Sequence, residues 1–359
     1  MTDNTWPTVD TELIDDVTLY SAKLIIPVTG PVIIDGAVAI HGDRVVHVGK
    51  RRWVLKALKQ EMTAHGTIHE RHWDGVLTPG LINAHTHLQY SGMVQVGQGT
   101  YDRFRAWELA FNEVYAEAQK TQPWKQWAED GARQMVESGT TAAADIVTDL
   151  DAAGALASQG MHGIAYWEVM GWHNAEWMEK GRTELIRQLR RMNEEQLPNL
   201  GISPHAPYTL ESEPFVDLPD IARQLNMRLH IHLAETPLEA GTYPPVLTTY
   251  SAADWSDHDW ESYRQLKEVG KGASAIQFVD QLGSLGPDVH IAHGVWANGE
   301  DRRILRQRGV GVALCPRSNR ITNTGKDAPV REYLEEGNLV SVGTDSLSST
   351  PTLDLLDDV

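Results

Sequence analysis

The rhythm of hydrophobic and polar positions along this chain changes once, near residue 76. Before that point, short apolar runs are cut up by turn residues. Val17–Leu19, Leu24–Ile26, Val32–Ile34, Ala37–Ile40 and Arg44–Val48 are punctuated by Pro27, Gly30, Pro31, Gly36, Gly42 and Gly49. Such runs predict strands joined in hairpins, not the opening of a parallel sheet. A helical stretch near Trp53–Ala64 then leads toward Val76.

Beyond it, an apolar strand followed by an amphipathic helix recurs. Strands end near His87, Ile146, Met170, His205, Ala234, His293, Cys315 and Asp345. Helical periodicity marks Trp124–Ser138, Arg182–Glu195, Glu213–Asn226, Glu300–Arg308 and Val330–Glu336, among others. Eight strands alternating with helices predict an α/β protein with a (β/α)8 TIM-like barrel, in preference to an open doubly wound sheet. The expected division is a β-rich module over residues 1–75 and the barrel over 76–359. No further repeat and no low-complexity tract is evident. One stretch does not fit the alternation: Thr236 to about Gly272 is long and carries Pro237, Pro244 and Pro245. It reads either as a loop that shapes a pocket or as a decorative insertion.

A length of 359 residues suits one barrel of about 250 residues with an added module. At 41% hydrophobic and 22% charged, the composition is that of an ordinary globular protein. No run approaches the roughly 18 apolar residues of a membrane span. Met1–Asp16 is acidic and polar and lacks the pattern of a secretory signal. Cys315 is the only cysteine, so no intramolecular disulfide forms, as expected of a cytoplasmic protein. The excess of 49 acidic over 31 basic residues, a net −18, disfavours nucleic acid and anionic membranes as partners.

Fifteen histidines leave room for a metal site, and several stand at strand ends, where barrel active sites lie. In Thr78–His87, His85 and His87 are two apart on one strand and face the barrel mouth together. In Leu229–Glu235, His232 offers a third nitrogen, and Glu235 stands where the chain turns. His230 shares the face of His232 one layer deeper, where a packed core histidine is the better reading. His293 ends the sixth strand and Asp345 the eighth. Three imidazoles and a carboxylate without cysteine suit one divalent metal, Zn²⁺ best, with Fe²⁺ or Mn²⁺ as alternatives. A catalytic zinc keeps a water and lowers its pKa to about 7. That water needs a proton shuttle beside it, and Glu235 is the right kind of group.

With these residues in place, the chain resembles the amidohydrolase superfamily, most closely the branch of cytosine, guanine, S-adenosylhomocysteine and aminodeoxyfutalosine deaminases. The matching segments are Pro79–Leu88, His232–Thr236, Ala292–Gly294, Cys315–Asn319 and Gly343–Ser346, and their order spans residues 17–359. The resemblance implies that His85, His87, His232 and Asp345 bind one metal. It implies that Asp345 accepts a proton from the metal's water, that His293 orients the resulting hydroxide, and that Glu235 protonates a ring nitrogen and helps ammonia leave. The implied activity is hydrolytic deamination of a cyclic amidine: an amino-purine, amino-pyrimidine or nucleoside-like ring.

Binuclear relatives bridge two ions with a carboxylated lysine on the third or fourth strand. No lysine occurs between Met161 and Glu179 or between Leu197 and Arg264, which argues for one ion. His205 corresponds to a histidine that holds the substrate ring in similar deaminases. Glu108 and Trp107 after the first strand, and Ser318 and Asn319 after the seventh, are further substrate-binding candidates. Each has a plainer reading as a helix-surface carboxylate, a core indole or a loop tie. Cys315 reads as a small buried side chain, and Glu168 and Asp145 end strands without an assigned role.

Relatives continue past the eighth strand and complete a composite β-sandwich with the N-terminal module. Here the sequence ends at Val359, so the C-terminal part of that fold is expected to be missing. Two rival readings remain: the same site releasing chloride or opening a ring amide, and a truncated metal-binding homologue without activity. Glu235 argues against the first, because an amine leaves only when protonated; Glu235 and His293 argue against the second. The expected partner is a small amino-heterocycle, and homo-oligomers are common among such barrels.

Overall fold

The computed structural model describes residues 14–194, 197, 199–241, 266 and 269–359. The chain divides into two compact units, Met1–Gly80 and Leu81–Val359.

The first unit is a four-stranded sheet. Its strands are β1 (Ile14–Ile25), β2 (Ile33–His41), β3 (Arg44–Lys50) and β4 (Met62–Leu77), in the order β3-β2-β1-β4. The β1–β2–β3 part is the expected set of hairpins, with Gly42 at positive φ in the second turn. Five short runs become three strands, because Gly36 and Ala22 pair within the ladder instead of breaking it. The helix Arg51–Glu61 stops short of Ala64, and the polar segment Met62–Leu77 is a strand running parallel to β1. That strand carries no hydrophobic alternation because it is an edge, most of whose side chains face water; it is fixed by backbone pairing to β1. Val54 and Leu58, one helical turn apart, pack on Val17, Leu19, Ala37 and Ala39 to form a small core.

The second unit is the expected barrel of eight parallel strands. They are β5 (Leu81–Thr86), β6 (Thr140–Val147), β7 (His162–Val169), β8 (Leu200–Pro204), β9 (Arg228–Leu233), β10 (Val289–His293), β11 (Gly311–Leu314) and β12 (Leu339–Val342), paired in sequence order. The ring closes where β12 ends beside β5. The Asp345 N–H donates to the His85 carbonyl at 2.9 Å, and Thr344 bonds the Asn83 side chain. Gly343 permits this approach, since a Cβ there would stand 2.8 Å from His85 backbone.

Helices clothe the strands through apolar stripes such as Leu185, Leu189 and Met192, spaced i, i+4, i+7. Strand residues Ile202, Leu229, Ile231 and Val289 pack under them. Alternation along β9 sends Leu229, Ile231 and Leu233 outward and His230 and His232 inward. Of the long connection Thr236–Gly272, residues 242–265, 267 and 268 lie outside the described residues.

Candidate metal-dependent active site

The strand ends bring five imidazoles and three carboxylates into one buried mouth. His85 and His87 come from the end of β5, His232 from β9 and His293 from β10. Asp345 follows β12. His205 follows β8, Glu235 follows β9, and Glu168 stands near the end of β7. A cavity of about 170 Å³ opens here, with His87, His205, His232, Glu235, His293 and Asp345 in its wall.

Four of these groups, His85, His87, His232 and Asp345, stand close enough to one another to be candidate donors to a cation. His87 Nε2 lies 3.3 Å from His232 Nε2, and Asp345 Oδ1 lies 3.6 Å from both His85 Nε2 and His87 Nε2. Ligands about 2.0–2.1 Å from a tetrahedral zinc stand a little over ~3 Å apart, which matches this spacing. His85 Nε2 is buried with no hydrogen-bond partner, which leaves its lone pair available to a cation. The remaining nitrogens set the tautomers. His232 Nδ1 faces the His205 carbonyl at 3.2 Å and donates to it, leaving the Nε2 lone pair for a ligand bond. His85 Nδ1 lies 3.3 Å from His230 Nε2, which also faces the Ala84 carbonyl at 3.1 Å, so the histidine read as core packing stands directly behind a candidate ligand.

Burial keeps these rings neutral, the form that binds metal. It holds His87 down to about 4 and His85 and His232 well below the ordinary imidazole range. Asp345 is the opposite case. Burial raises its pKa, but His87, His293 and the hydroxyls of Ser318 and Ser349 outweigh this and hold it below the carboxylate range. Those hydroxyls donate to Oδ2 at 2.7 and 2.9 Å, while Oδ1, on the side of the histidines, accepts the Ser346 N–H at 2.9 Å.

Glu235 is placed to handle protons. Its Oε1 stands 3.5 Å from His293 Nε2, and its Oε2 accepts from the Tyr208 hydroxyl at 2.8 Å. Burial raises the Glu235 carboxyl above its ordinary value, against the lowering effects of His293 and Tyr208. Burial lowers His293, yet Glu235 and Asp345 lift it above its ordinary value. Asn319 Oδ1 accepts from His293 Nδ1 at 3.0 Å and fixes the ring.

The backbone is left-handed at three of these turns: φ is +54° at Ala234, +72° at His293 and +60° at Asp345. A non-glycine residue held this way costs about 1–3 kcal/mol, a strain that clusters at functional sites.

Among the other candidates, His205, Trp107 and Glu108 line the cavity. The Trp107 indole donates to the Ser348 carbonyl, and Glu108 accepts from Arg105. Ser318 and Asn319 sit behind the wall, bonded to Asp345 and His293. Tyr208 was not singled out by sequence, although it lies three residues from His205. Glu239 is a second such residue. Its carboxylate accepts the N–H groups of Ala234, Glu235 and Thr236 at 2.8–2.9 Å and so shapes the turn that carries Glu235. The capping pattern Thr236-x-x-Glu239 was the available signal. Cys315 is buried, as expected.

A sequence model of the Amidohydrolase family matches residues 76–243 and 246–359. The chain is 30% identical over 344 residues to a 5-methylthioadenosine/S-adenosylhomocysteine deaminase of Moorella thermoacetica, covering 92% of this chain and 70% of that one. It is 30% identical over 290 residues to a 5'-deoxyadenosine deaminase of Methanopyrus kandleri, covering 79% of this chain and 60% of that one. It thus spans 60–70% of the length of these two relatives. Among solved structures, it resembles the Helicobacter pylori aminofutalosine deaminase in complex with methylthio-coformycin (TM-score 0.73, 20% identity, 95% and 79% of the two chains). A Xanthomonas campestris adenosine deaminase with bound zinc is similar too (TM-score 0.70, 20% identity, 96% and 72%). So is an atrazine chlorohydrolase of Arthrobacter aurescens with zinc (TM-score 0.74, 19% identity, 95% and 74%). At these identities the structural likenesses speak to the fold.

Proposed function

This chain belongs to the amidohydrolase family, and we propose that within it the chain is a metal-dependent aminohydrolase that deaminates a nucleoside-like ring. The observation that carries this reading is the placement of Glu235, buried between His293 and Tyr208 in the wall of the histidine-lined cavity. His85, His87, His232 and Asp345 would hold one divalent ion, with zinc the best fit to three imidazoles and a carboxylate. When bound, the ion supplies Lewis acidity that makes water a nucleophile near neutral pH.

The protein's own groups do the rest. Asp345 accepts a proton, since its carboxylate is held ionised by the surrounding rings and hydroxyls. Glu235 delivers its proton to a ring nitrogen, which a raised carboxyl next to His293 is suited to do; the proton taken up by Asp345 passes to the departing amine, and Glu235 recovers a proton from the added hydroxyl as the carbonyl forms. His293, fixed by Asn319, orients the attacking oxygen. Tyr208 holds Glu235 in place. His205, Trp107 and Glu108 are the proposed contacts to the ring and its substituent. The names of the relatives support an adenosine-like substrate. We also place the protein in the cytoplasm on the strength of its single cysteine. No helix among the described residues is long and apolar enough to cross a membrane.

The test is ammonia release from a panel of amino-purines, amino-pyrimidines, their nucleosides and amino-triazines, using zinc-loaded protein and Glu235→Gln as control. Ammonia from one class, abolished in a variant that still binds about one metal, supports the reading. Chloride from a chlorotriazine with no ammonia from any compound would reassign the leaving group. No release of either, despite bound metal, would overturn the hydrolase assignment.

A further inference from the structure

Glu168 is left over when the proposed chemistry is assigned. It is the penultimate residue of β7, 7% exposed, and its side chain lines the cavity at the mouth. Its Oε1 is buried with no hydrogen-bond partner. Two other buried carboxylates nearby are bonded, Glu239 by three backbone N–H groups and Asp345 by two hydroxyls, whereas Asp145, whose Oδ2 is likewise unmatched, does not line the cavity. An unmatched buried acceptor costs stability, so one that persists calls for an explanation.

His232 does not provide the partner. Its Nδ1 is 3.9 Å from Glu168 Oε1, too far for a hydrogen bond, and it already faces the His205 carbonyl at 3.2 Å. The same bond argues against a second ion among Glu168, His205 and His232, although their ligand atoms lie within 4.8 Å of one another. A metal there would require His232 Nδ1 to give up its proton and its backbone partner.

The cavities indicate what approaches Glu168 instead. The mouth, at about 170 Å³, is smaller than the roughly 300–1,000 Å³ of typical ligand pockets. An adjoining cavity of about 480 Å³, lined by Tyr115, Trp167 and Trp172, shares Glu168 with the mouth. A ligand with its ring at the histidines and a substituent in the aromatic cavity therefore passes Glu168.

We propose that Glu168 is a specificity-determining residue: it accepts a hydrogen bond from an N–H or O–H donor that the ligand presents at the seam of the two cavities. This rests on the deaminase reading of the site and narrows its substrates to amino-heterocycles carrying a second donor. The donor is either another amino group of the ring or a hydroxyl of an attached sugar.

Calorimetric binding to zinc-loaded protein separates these sources with two matched pairs: diaminopurine against adenine, and adenosine against dideoxyadenosine. The proteins are wild type, Glu168→Gln and Glu168→Leu, with metal content and Tm measured on each. One pair is expected to be discriminated roughly 10- to 100-fold by wild type, in favour of the donor-bearing member. Glu168→Leu should erase that preference by weakening only that member, while Glu168→Gln, whose amide still accepts, retains part of it. Metal content should stay at about one per chain, and Tm of the Leu variant should be no lower than wild type.

No discrimination within either pair overturns the proposal. So does equal weakening of both members, or loss of metal from the Leu variant, which would make Glu168 a support for His232. Ammonia release assayed on the same wild-type samples keeps the two claims apart. Discrimination without ammonia would sink the deaminase reading alone, and ammonia without discrimination would sink the role of Glu168 alone.

Discussion

In the four-stranded sheet the charged side chains meet at the surface, whereas at the barrel mouth they are buried against one another. Arg51 grips Glu70 through two bonds of 2.6 Å, and His47 meets Glu61 at 2.7 Å, all partly exposed. Pairs of this kind contribute at most about 1 kcal/mol, because water solvates the partners as well when they are apart. The sheet instead depends on a core of six side chains. At the mouth, His85, His87, His232, His293 and Asp345 are nearly sealed from water, and burial outweighs every other influence on the first three rings. Such a cluster is costly to hold together without an ion or ligand. The difference shows where charge serves solubility and where it serves chemistry.

Removing the ion should break the mouth and spare the sheet. Chelation is expected to abolish ammonia release, and added zinc to restore it. It should also lower Tm, since a ligand at 1,000 times its Kd adds about 4 kcal/mol. Thermal unfolding with and without chelator measures this, and an unchanged Tm would count against a bound ion. Next in size, Glu235→Gln is expected to lower kcat about 10²- to 10⁴-fold with metal content unchanged; steady-state kinetics and metal analysis on one sample decide it.

The same comparison predicts that the sheet fails by losing volume. Leu58→Ala should destabilise its unit by about 2–5 kcal/mol, seen as faster amide exchange in β1 and β2 with metal content at the barrel unchanged. Tyr208→Phe leaves Glu235 Oε2 without its donor. A loss in kcat of roughly 10-fold with little change in KM is expected, from a hydrogen bond to a charged group.

The smallest effect belongs to Glu70. The Arg51 hydrogen bonds, with help from Ser21 against the cost of burial, hold its carboxyl down to about 2 from an ordinary 4.5. A depressed carboxyl stabilises above the unfolded pKa and loses that contribution as pH falls through the folded one. Wild type and Glu70→Gln should therefore differ slightly in Tm near pH 6 and converge toward pH 2. Solvent screening keeps the difference small.

Much of the site was legible because its residues are tied to strand ends. His85 and His87 share a face by the two-residue repeat, and the alternation that buries Ile231 turns His232 inward. The N-terminal hairpins announced themselves through glycine and proline. Strand β4 did not, because an edge strand in water needs no hydrophobic pattern, and its partners in β1 are 48–52 residues away in the chain. Tyr208, Asn319 and Ser318 act through contacts between segments distant in the chain, from the loop after β8 to Glu235, and from the helix Pro316–Ile321 after β11 to His293 and Asp345. No spacing along the chain encodes such pairs.

The sequence alone determined the alternation of strand and helix, the inward histidines and the carboxylates at the strand ends, because period and residue chemistry are local properties. Only the tertiary structure decided which nitrogens remain free to bind, which oxygens are already bonded, and that Glu168 Oε1 is left without a partner. Burial and hydrogen bonding depend on side chains up to 261 residues apart, such as Asn83 and Thr344 at the barrel closure, and the closed ring of strands is what brings them together.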